Sequence, residues 1–110
     1  DFFYKACSPC AALIPYFKEI DSLYKNKGIA LLGVDPIESD RKRLPRFITY
    51  YQVTYPILLA NQKFVYSEIG VESYPTVLII KNKKIVYQHI GFSKSLTKDV
   101  SKVLDELLIK

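Results

Sequence analysis

The order in which apolar runs and helical stretches alternate constrains the fold of this 110-residue chain most strongly. Residues 29–34 form a continuous apolar run of strand length, closed by Asp35 and Pro36, and such a run suits a strand buried on both faces. Similar patterns predict four further strands, at residues 2–4, 55–60, 76–81 and 84–90. Helices are predicted at residues 8–27, 39–51, 62–69 and 95–110. This order predicts one α/β domain, residues 1–110, in which a mixed central sheet carries helices on both faces.

Prolines and turn residues refine these elements. Pro15 falls inside the first helix and is expected to kink it without ending it, because the apolar stripe keeps its phase afterwards. Pro45 either kinks the second helix or marks its true first turn. Asn82 and Lys83 join the last two strands in a tight hairpin. Ser95 is the predicted N-cap of the final helix.

Composition excludes several classes of protein. A content of 49% hydrophobic and 25% charged residues excludes intrinsic disorder. The net charge of +5 is spread along the chain, which favours a solvated surface over a nucleic-acid footprint. No apolar run reaches the roughly 18 residues of a membrane span. Because the strand-like residues 2–4 follow no initiator Met, we expect the chain to be part of a longer protein and to lack its N-terminal strand or strands.

The chain's two cysteines lie three residues apart, at Cys7 and Cys10, where the first strand gives way to the first helix. Unpaired N–H groups and the positive end of the helix dipole meet there and stabilise a thiolate. Such a position lowers the pKa of a cysteine from about 8.5. Cys7 is therefore a candidate nucleophile at neutral pH, with Cys10 placed to resolve a mixed disulfide.

Three other interpretations of the cysteines were weighed: a structural disulfide, half of a zinc site, and two inert core thiols. A bridge that closes so short a loop removes little entropy from the unfolded chain. Zinc needs about four ligands, whereas this chain offers two cysteines and one distant histidine, His89. Redox chemistry is the favoured hypothesis.

Several segments of the sequence carry a family resemblance. Residues 1–10, DFFYKACSPC, followed by Pro15, resemble the active-site segment of thioredoxins. Residues 73–78, SYPTVL, resemble the cis-proline loop of that family, and residues 82–84 with Gly91 resemble its terminal hairpin. Residues 33–59 are similar to the helix-plus-strand insertion of TlpA- and ResA-like thiol-disulfide oxidoreductases. The resemblance implies a thioredoxin fold with an extra helix-strand insertion.

The resemblance also implies roles for individual residues. Pro75 would be in the cis form and would face the cysteine pair, and the backbone of Tyr74 would offer hydrogen bonds to an extended substrate segment. Asp1 corresponds to the buried acid that in thioredoxins accepts a proton from the resolving cysteine. Cys7 and Cys10 would be the nucleophilic and resolving cysteines, and no cofactor or metal would be required.

Departures from the pattern bear on substrate and direction. Phe3 and Ala6 stand where thioredoxins usually carry tryptophans, so we expect a more open rim around the active site. The dipeptide Ser8-Pro9 lacks the histidine of strongly oxidising relatives, which favours a reductase. Because a Tyr-Pro-Thr sequence such as residues 74–76 also occurs in protein disulfide isomerases, a disulfide oxidase or isomerase is the alternative on the same fold.

A copper-binding or metallochaperone-type module is the alternative of a different class. Copper-delivering thioredoxin-fold proteins also pair two cysteines with a downstream histidine, although they use C-x-x-x-C and place the histidine in a loop. His89 instead falls within a predicted strand and is expected at the surface or on an edge strand. A role for it as a metal ligand is the less favoured hypothesis.

Two further groups of residues have simple structural interpretations. Asp35, Glu38 and Asp40 form an acidic cluster that loop solvation and helix capping explain. Tyr50 and Tyr51, beside Phe47, are expected to pack against the central sheet, with a partner surface as the alternative.

The family resemblance also predicts partners and location. A disulfide-containing protein would be the substrate and an upstream thiol protein the electron donor, with no nucleic-acid partner. The location would be extracytoplasmic, in a bacterial periplasm, and the protein would be membrane-tethered or secreted. The membrane would be reached only through an N-terminal anchor outside this sequence. We expect a monomer.

Overall fold

The computed structural model describes residues 1–109. It contains, in chain order, the following α-helices: α1 Ser8–Ala12, α2 Ile14–Tyr24, α3 Leu44–Tyr51, α4 Gln62–Phe64 and α5 Leu96–Ile109. Its strands are β1 Gly33–Asp35, β2 Ile57–Leu59, β3 Thr76–Lys81 and β4 Lys84–Ile90. A 3-10 helix, Glu38–Arg43, leads into α3, and a π-helical turn, Val65–Ile69, continues α4.

Phe2 joins two strand pairs into one mixed sheet. β1 and β2 pair in parallel, and β3 and β4 form an antiparallel hairpin. Phe2 bridges Val34 of β1 in parallel and Thr76 of β3 in antiparallel fashion. The predicted strand at residues 2–4 is therefore present as this bridge between the two pairs and not as a full ladder.

The two faces of the sheet carry different helices. Side chains alternate along an extended segment, so Phe2 and Phe3 point to opposite faces. Phe3 packs with Leu44 and Phe47 of α3 and with Ile14 of α2. Phe2 packs on the other side with Val65 of the π-helical turn. Helices thus lie on both faces, as predicted.

A large apolar cluster fills the space between α2, α5 and the sheet. Its buried members, which we call the helix core, are Leu13, Phe17, Ile20, Tyr24, Tyr55, Val77, Leu96, Val100 and Leu104. Tyr24 closes its far end, where the hydroxyl donates to the Asp105 carboxylate at 2.6 Å.

The first predicted helix is broken in two. Leu13 ends α1 and precedes α2, and Pro15 lies in the first turn of α2, where its missing N–H costs no helical hydrogen bond. The predicted uninterrupted helix with a kink at Pro15 is therefore wrong. Pro45 likewise occupies the first turn of α3, which decides between the two roles left open for it.

The prediction of a strand at residues 29–34 is wrong over most of its length, because only Gly33 and Val34 belong to β1. Ile29 and Leu31 pack against the helix core, whereas the alternate residues Ala30 and Leu32 are exposed. The apolar run has one buried face and one exposed face, and so it does not form the doubly buried strand that its composition suggests.

The hairpin has the predicted bounds. Asn82 and Lys83 both adopt positive φ, at 53° and 65°, which is the conformation of a two-residue hairpin turn. The turn lies at the end of β3 remote from Pro75. The pairing of β3 with β4 has one irregularity in register, between Ile79 and Ile80 of β3.

Candidate active site

Cys7 and Cys10 form a disulfide at the start of α1, with their Cα atoms 5.2 Å apart. Cys7 is the N-cap of α1 and has extended backbone angles. Its Sγ accepts a hydrogen bond from the backbone N–H of Cys10 at 3.2 Å. Both residues are buried, with exposed fractions of 4% and 3%. The sequence places the pair at this helix start because Pro9, which has no N–H to satisfy, suits the first turn.

A cluster of apolar and aromatic side chains surrounds the disulfide. Its buried members, which we call the cysteine cluster, are Phe3, Cys7, Cys10, Ile14, Leu44 and Phe47. The rings of Phe3 and Phe47 stack with centroids 5.6 Å apart. The expected open rim is therefore wrong, because aromatic residues of other elements cover the cysteines in place of the absent tryptophans.

Tyr74, which precedes Pro75, lies against this cluster. The peptide bond between them is cis. Tyr74 packs on the cysteine cluster and meets Tyr4 edge to face, with ring centroids 5.6 Å apart. Pro75 is fully buried, and its carbonyl oxygen accepts a hydrogen bond from the N–H of Gly91 at 2.9 Å. The structure thus brings together the cysteines and the loop at residues 73–76, which are far apart in sequence.

Asp1 lies beside β1. Its carbonyl oxygen accepts a hydrogen bond from the N–H of Val34 at 2.7 Å. Its Oδ1 atom is buried and has no hydrogen-bond partner within residues 1–109. No hydrogen bond in that range joins it to Cys7 or Cys10, so its role as proton acceptor stays a prediction.

Asp35 is a site residue that the sequence analysis did not identify. Its side chain is 0% exposed, so solvation does not explain it, although its Oδ1 accepts a hydrogen bond from the N–H of Ile37 as a turn cap does. Burial raises the pKa of the Asp35 carboxyl to about 7, and the neighbouring Asp40 adds to the shift. The pKa of Tyr74 is raised by burial and then by the charge of Asp35. In the register of β1 and β2, Asp35 faces Leu59, which packs against the cysteine cluster.

A hydrogen bond ties the acidic pair to the segment before Cys7. Asp40 Oδ2 accepts the backbone N–H of Lys5 at 3.0 Å. A protonated Asp35 can donate to Asp40, because two adjacent carboxyl groups share a proton more readily than both ionise. The signal available in the sequence was the position of Asp35, which ends the apolar run of residues 29–34 and is followed by Pro36.

The buried members of the cysteine cluster do not include His89, Tyr50 or Tyr51. His89 lies in β4, which within residues 1–109 pairs only with β3, and faces Val77 in the register. Within those residues no group of three His, Cys, Asp or Glu side chains is placed to hold a metal ion. Tyr50 is 77% exposed, so the expectation that it packs against the sheet is wrong, whereas Tyr51 is half-buried against the cysteine cluster.

Comparison with solved structures identifies the fold. A candidate thiol:disulfide interchange protein DsbE of Chlorobium tepidum has a TM-score of 0.85 at 21% identity, over 97% of this chain and 76% of that one. StoA of Bacillus subtilis has a TM-score of 0.78 at 20% identity, over 92% of this chain and 76% of that one. The chain has a thioredoxin fold.

Comparison with sequences identifies the family. The thiol-disulfide oxidoreductase ResA of Bacillus thuringiensis is 31% identical over 86 residues, which are 77% of this chain and 49% of the ResA protein. The chain therefore spans about half the length of that relative. A model of the Redoxin family matches residues 2–107, which include both cysteines, Tyr74 and Pro75. On this match over almost its whole length, the chain belongs to the Redoxin family.

Proposed function

We propose that this protein is a thiol-disulfide oxidoreductase with Cys7 and Cys10 as its redox pair, and that it reduces protein disulfides outside the cytoplasm. The observation that carries the proposal is the Cys7–Cys10 disulfide at the start of α1, packed against Tyr74. The ResA relative, named as a thiol-disulfide oxidoreductase, supports the same activity.

Cys7 is the nucleophile in this proposal. Its Sγ already accepts the N–H of Cys10 at 3.2 Å, and the same donor would stabilise a thiolate after reduction. A hydrogen bond to the charged form, at the N-cap of α1, lowers the pKa of a thiol. Cys7 is the N-cap of α1, whereas Cys10 lies within the helix and acts second, as the resolving cysteine.

The reaction transfers two electrons and two protons to the substrate. The Cys7 thiolate attacks one sulfur of the substrate disulfide, and the departing sulfur takes up a proton. The Cys10 thiol loses its proton and attacks Cys7 Sγ, which releases the second substrate sulfur as a thiol. The Cys7–Cys10 disulfide remains, and an upstream dithiol protein restores the pair by the reverse exchange.

Three further residues assist in this scheme. Tyr74, which lies against the cysteine cluster, and the adjacent Pro75 hold an extended segment of the substrate beside Cys7. Asp1 accepts the proton of Cys10, a role supported by its buried and unpartnered Oδ1.

No helix within residues 1–109 has the length and apolar character to cross a membrane. The proposed extracytoplasmic location rests on the resemblance to TlpA- and ResA-like proteins.

Direct measurement of disulfide reduction by two cysteine variants tests the activity. Cys7→Ser should reduce catalysed turnover of a protein disulfide to background, because no nucleophile remains. Cys10→Ser should also stop turnover but should accumulate a mixed disulfide through Cys7, visible by mass spectrometry. Turnover retained by Cys7→Ser would contradict the assignment of the nucleophile.

The reduction potential of the Cys7–Cys10 pair tests the direction. The reduction potential of thioredoxin, a reductant, is about −270 mV, whereas that of the strong oxidant DsbA is about −120 mV. The absence of a histidine between the cysteines supports a value near the former. A value near the latter would replace the reductase by a disulfide oxidase.

A further inference from the structure

A basic depression of about 610 Å³ opens next to the cysteine cluster. Four basic and two tyrosine side chains line it, and we call it the basic groove: Lys5, Lys42, Arg43, Arg46, Tyr50 and Tyr51. Phe47, a buried member of the cysteine cluster, also contributes to its wall. Lys5 precedes Cys7 by two residues. The groove therefore adjoins the cysteine cluster, which contains the redox pair.

Within residues 1–109, no ion pair joins an acidic side chain to the positive charges of the groove. The ion pair found in residues 1–109 joins Arg41 to Glu38 at 2.7 Å, and Arg41 does not line the groove. Lys42, Arg43 and Arg46 are exposed and have no acidic partner in that range. Uncompensated charge of one sign in a concave surface attracts ligands of the opposite sign.

The local fold places two of the groove's arginines, Arg43 and Arg46, on one face of α3. Arg43 is the N-cap of α3, and Pro45 fixes the first turn that follows. Arg43, Arg46 and Tyr50 are separated by three and four residues, so they occupy one face of the helix. The face is built by the helix-strand insertion and not by the elements that carry the cysteines.

Three aromatic rings connect this face to the cysteine cluster. The Tyr50 and Tyr51 rings meet at right angles with centroids 4.8 Å apart, and Tyr51 tilts against Phe47 at the same distance. Tyr50 leaves most of its ring in solvent. Flat amphipathic rings beside guanidinium groups suit a polypeptide partner, because they provide contact area at a low cost in side-chain entropy.

We propose that the basic groove binds an acidic segment of the substrate protein next to the disulfide that Cys7 attacks. This proposal rests on the proposed function. Opposite charges speed encounter and orient the partner more than they change the chemical step. The groove therefore acts on substrate choice, and its contribution should weaken as added salt screens it.

Two disulfide peptides that differ only beside their cysteines provide the test, one with three Asp residues and the other with three Asn residues. The reduced full chain should show a kcat/KM about tenfold higher for the acidic peptide at low ionic strength, with most of the difference lost at high salt. Arg43→Glu with Arg46→Glu should bring this ratio to about one or below. The milder pair Arg43→Gln with Arg46→Gln should lower the ratio by a smaller factor.

A matched control separates the groove from the overall charge of the protein. Lys84→Glu with Lys102→Glu makes the same change in net charge at exposed residues of β4 and α5 and should keep the preference for the acidic peptide. A wild-type ratio near one would overturn the proposal, as would an equal loss of ratio in this control. Failure of the protein to reduce either peptide would instead contradict the proposed function.

An anionic membrane surface is the competing ligand. Vesicles of phosphatidylglycerol and phosphatidylcholine can be titrated with the protein and with the Arg43→Glu, Arg46→Glu variant. Vesicle binding that needs both arginines, together with equal rates on the two peptides, would assign the groove to lipid and overturn the proposal.

Discussion

The helix core and the cysteine cluster pack against the same face of the sheet but differ in chemistry. The helix core is built from aliphatic and aromatic side chains, with the Tyr24 hydroxyl reaching out to Asp105 at its edge. The cysteine cluster instead holds two sulfur atoms, and Leu59, which packs against it, is the register partner of the buried Asp35. The first is suited to stability, and the second keeps reactive and titratable groups in a low-dielectric environment.

The largest expected effect comes from the helix core. Phe17 is 1% exposed and meets Tyr55 edge to face. Phe17→Ala should lower the free energy of unfolding by about 3–5 kcal/mol, because it removes a large side chain and leaves a cavity. Urea denaturation measures this loss.

Leu23→Ala provides the matched control, because Leu23 lies in the same helix but is exposed. It should change the free energy of unfolding by about 0.5 kcal/mol or less. Equal losses in the two variants would show that burial in the helix core is not what stabilises the fold.

A smaller effect is expected from the buried acid beside the cysteine cluster. The pKa of Asp35 is raised from 3.8 to about 7 by burial, so the folded state holds this proton more tightly than the unfolded state. The stabilising contribution is therefore complete below about pH 4 and is lost as the pH rises towards and through 7. Asp35→Asn should remove this decline, which we expect to be on the order of 2 kcal/mol.

Urea denaturation of wild type and Asp35→Asn across that pH interval measures the difference. Asp99→Asn is the control, since Asp99 lies in the first turn of α5. Parallel pH profiles for wild type and Asp35→Asn would contradict the raised pKa and would remove the electrostatic contrast between the two clusters.

The smallest effect is expected where the two clusters meet. A Cβ on Gly33 would lie 3.1 Å from the Phe3 ring and 3.4 Å from the Tyr55 ring, and these rings belong to the cysteine cluster and the helix core respectively. Gly33→Ala should destabilise the fold by about 1–2 kcal/mol through overpacking. Ala30→Ser, at an exposed position nearby, should have little effect in the same thermal denaturation assay. An unchanged melting temperature for Gly33→Ala would show that each cluster accommodates the added methyl group without loss of stability.

Local signals account for what the sequence predicted well. The hairpin follows from period-two strands around a turn whose two residues accept positive φ, and the redox pair follows from two cysteines at a helix start. The sequence predicts Leu13 within one helix, because the apolar spacing continues across the break. The break itself depends on tertiary packing, in which α1 contributes to the cysteine cluster and Leu13 to the helix core.

Long-range packing explains what was missed. The position of Asp35 at the end of an apolar run is a local signal, but it does not show that the carboxyl is buried. That burial depends on the elements that cover β1. The covered state of Cys7 likewise arises from Phe47 and Tyr74, which are distant in sequence. Periodicity detects a buried face, but it does not show which element supplies the cover.

The bridge at Phe2 has a consequence for where the chain tolerates changes in length. The N–H of Phe2 donates to Thr76 O, and its carbonyl oxygen accepts the Thr76 N–H, while the Phe3 N–H donates to Val34 O. The six residues from Phe2 to Cys7 thus lead from the sheet to the proposed nucleophile. An extra residue within this segment would change the distance between Cys7 Sγ and the sheet. The segment between β1 and β2, in contrast, can lengthen without moving the Phe2 bridge.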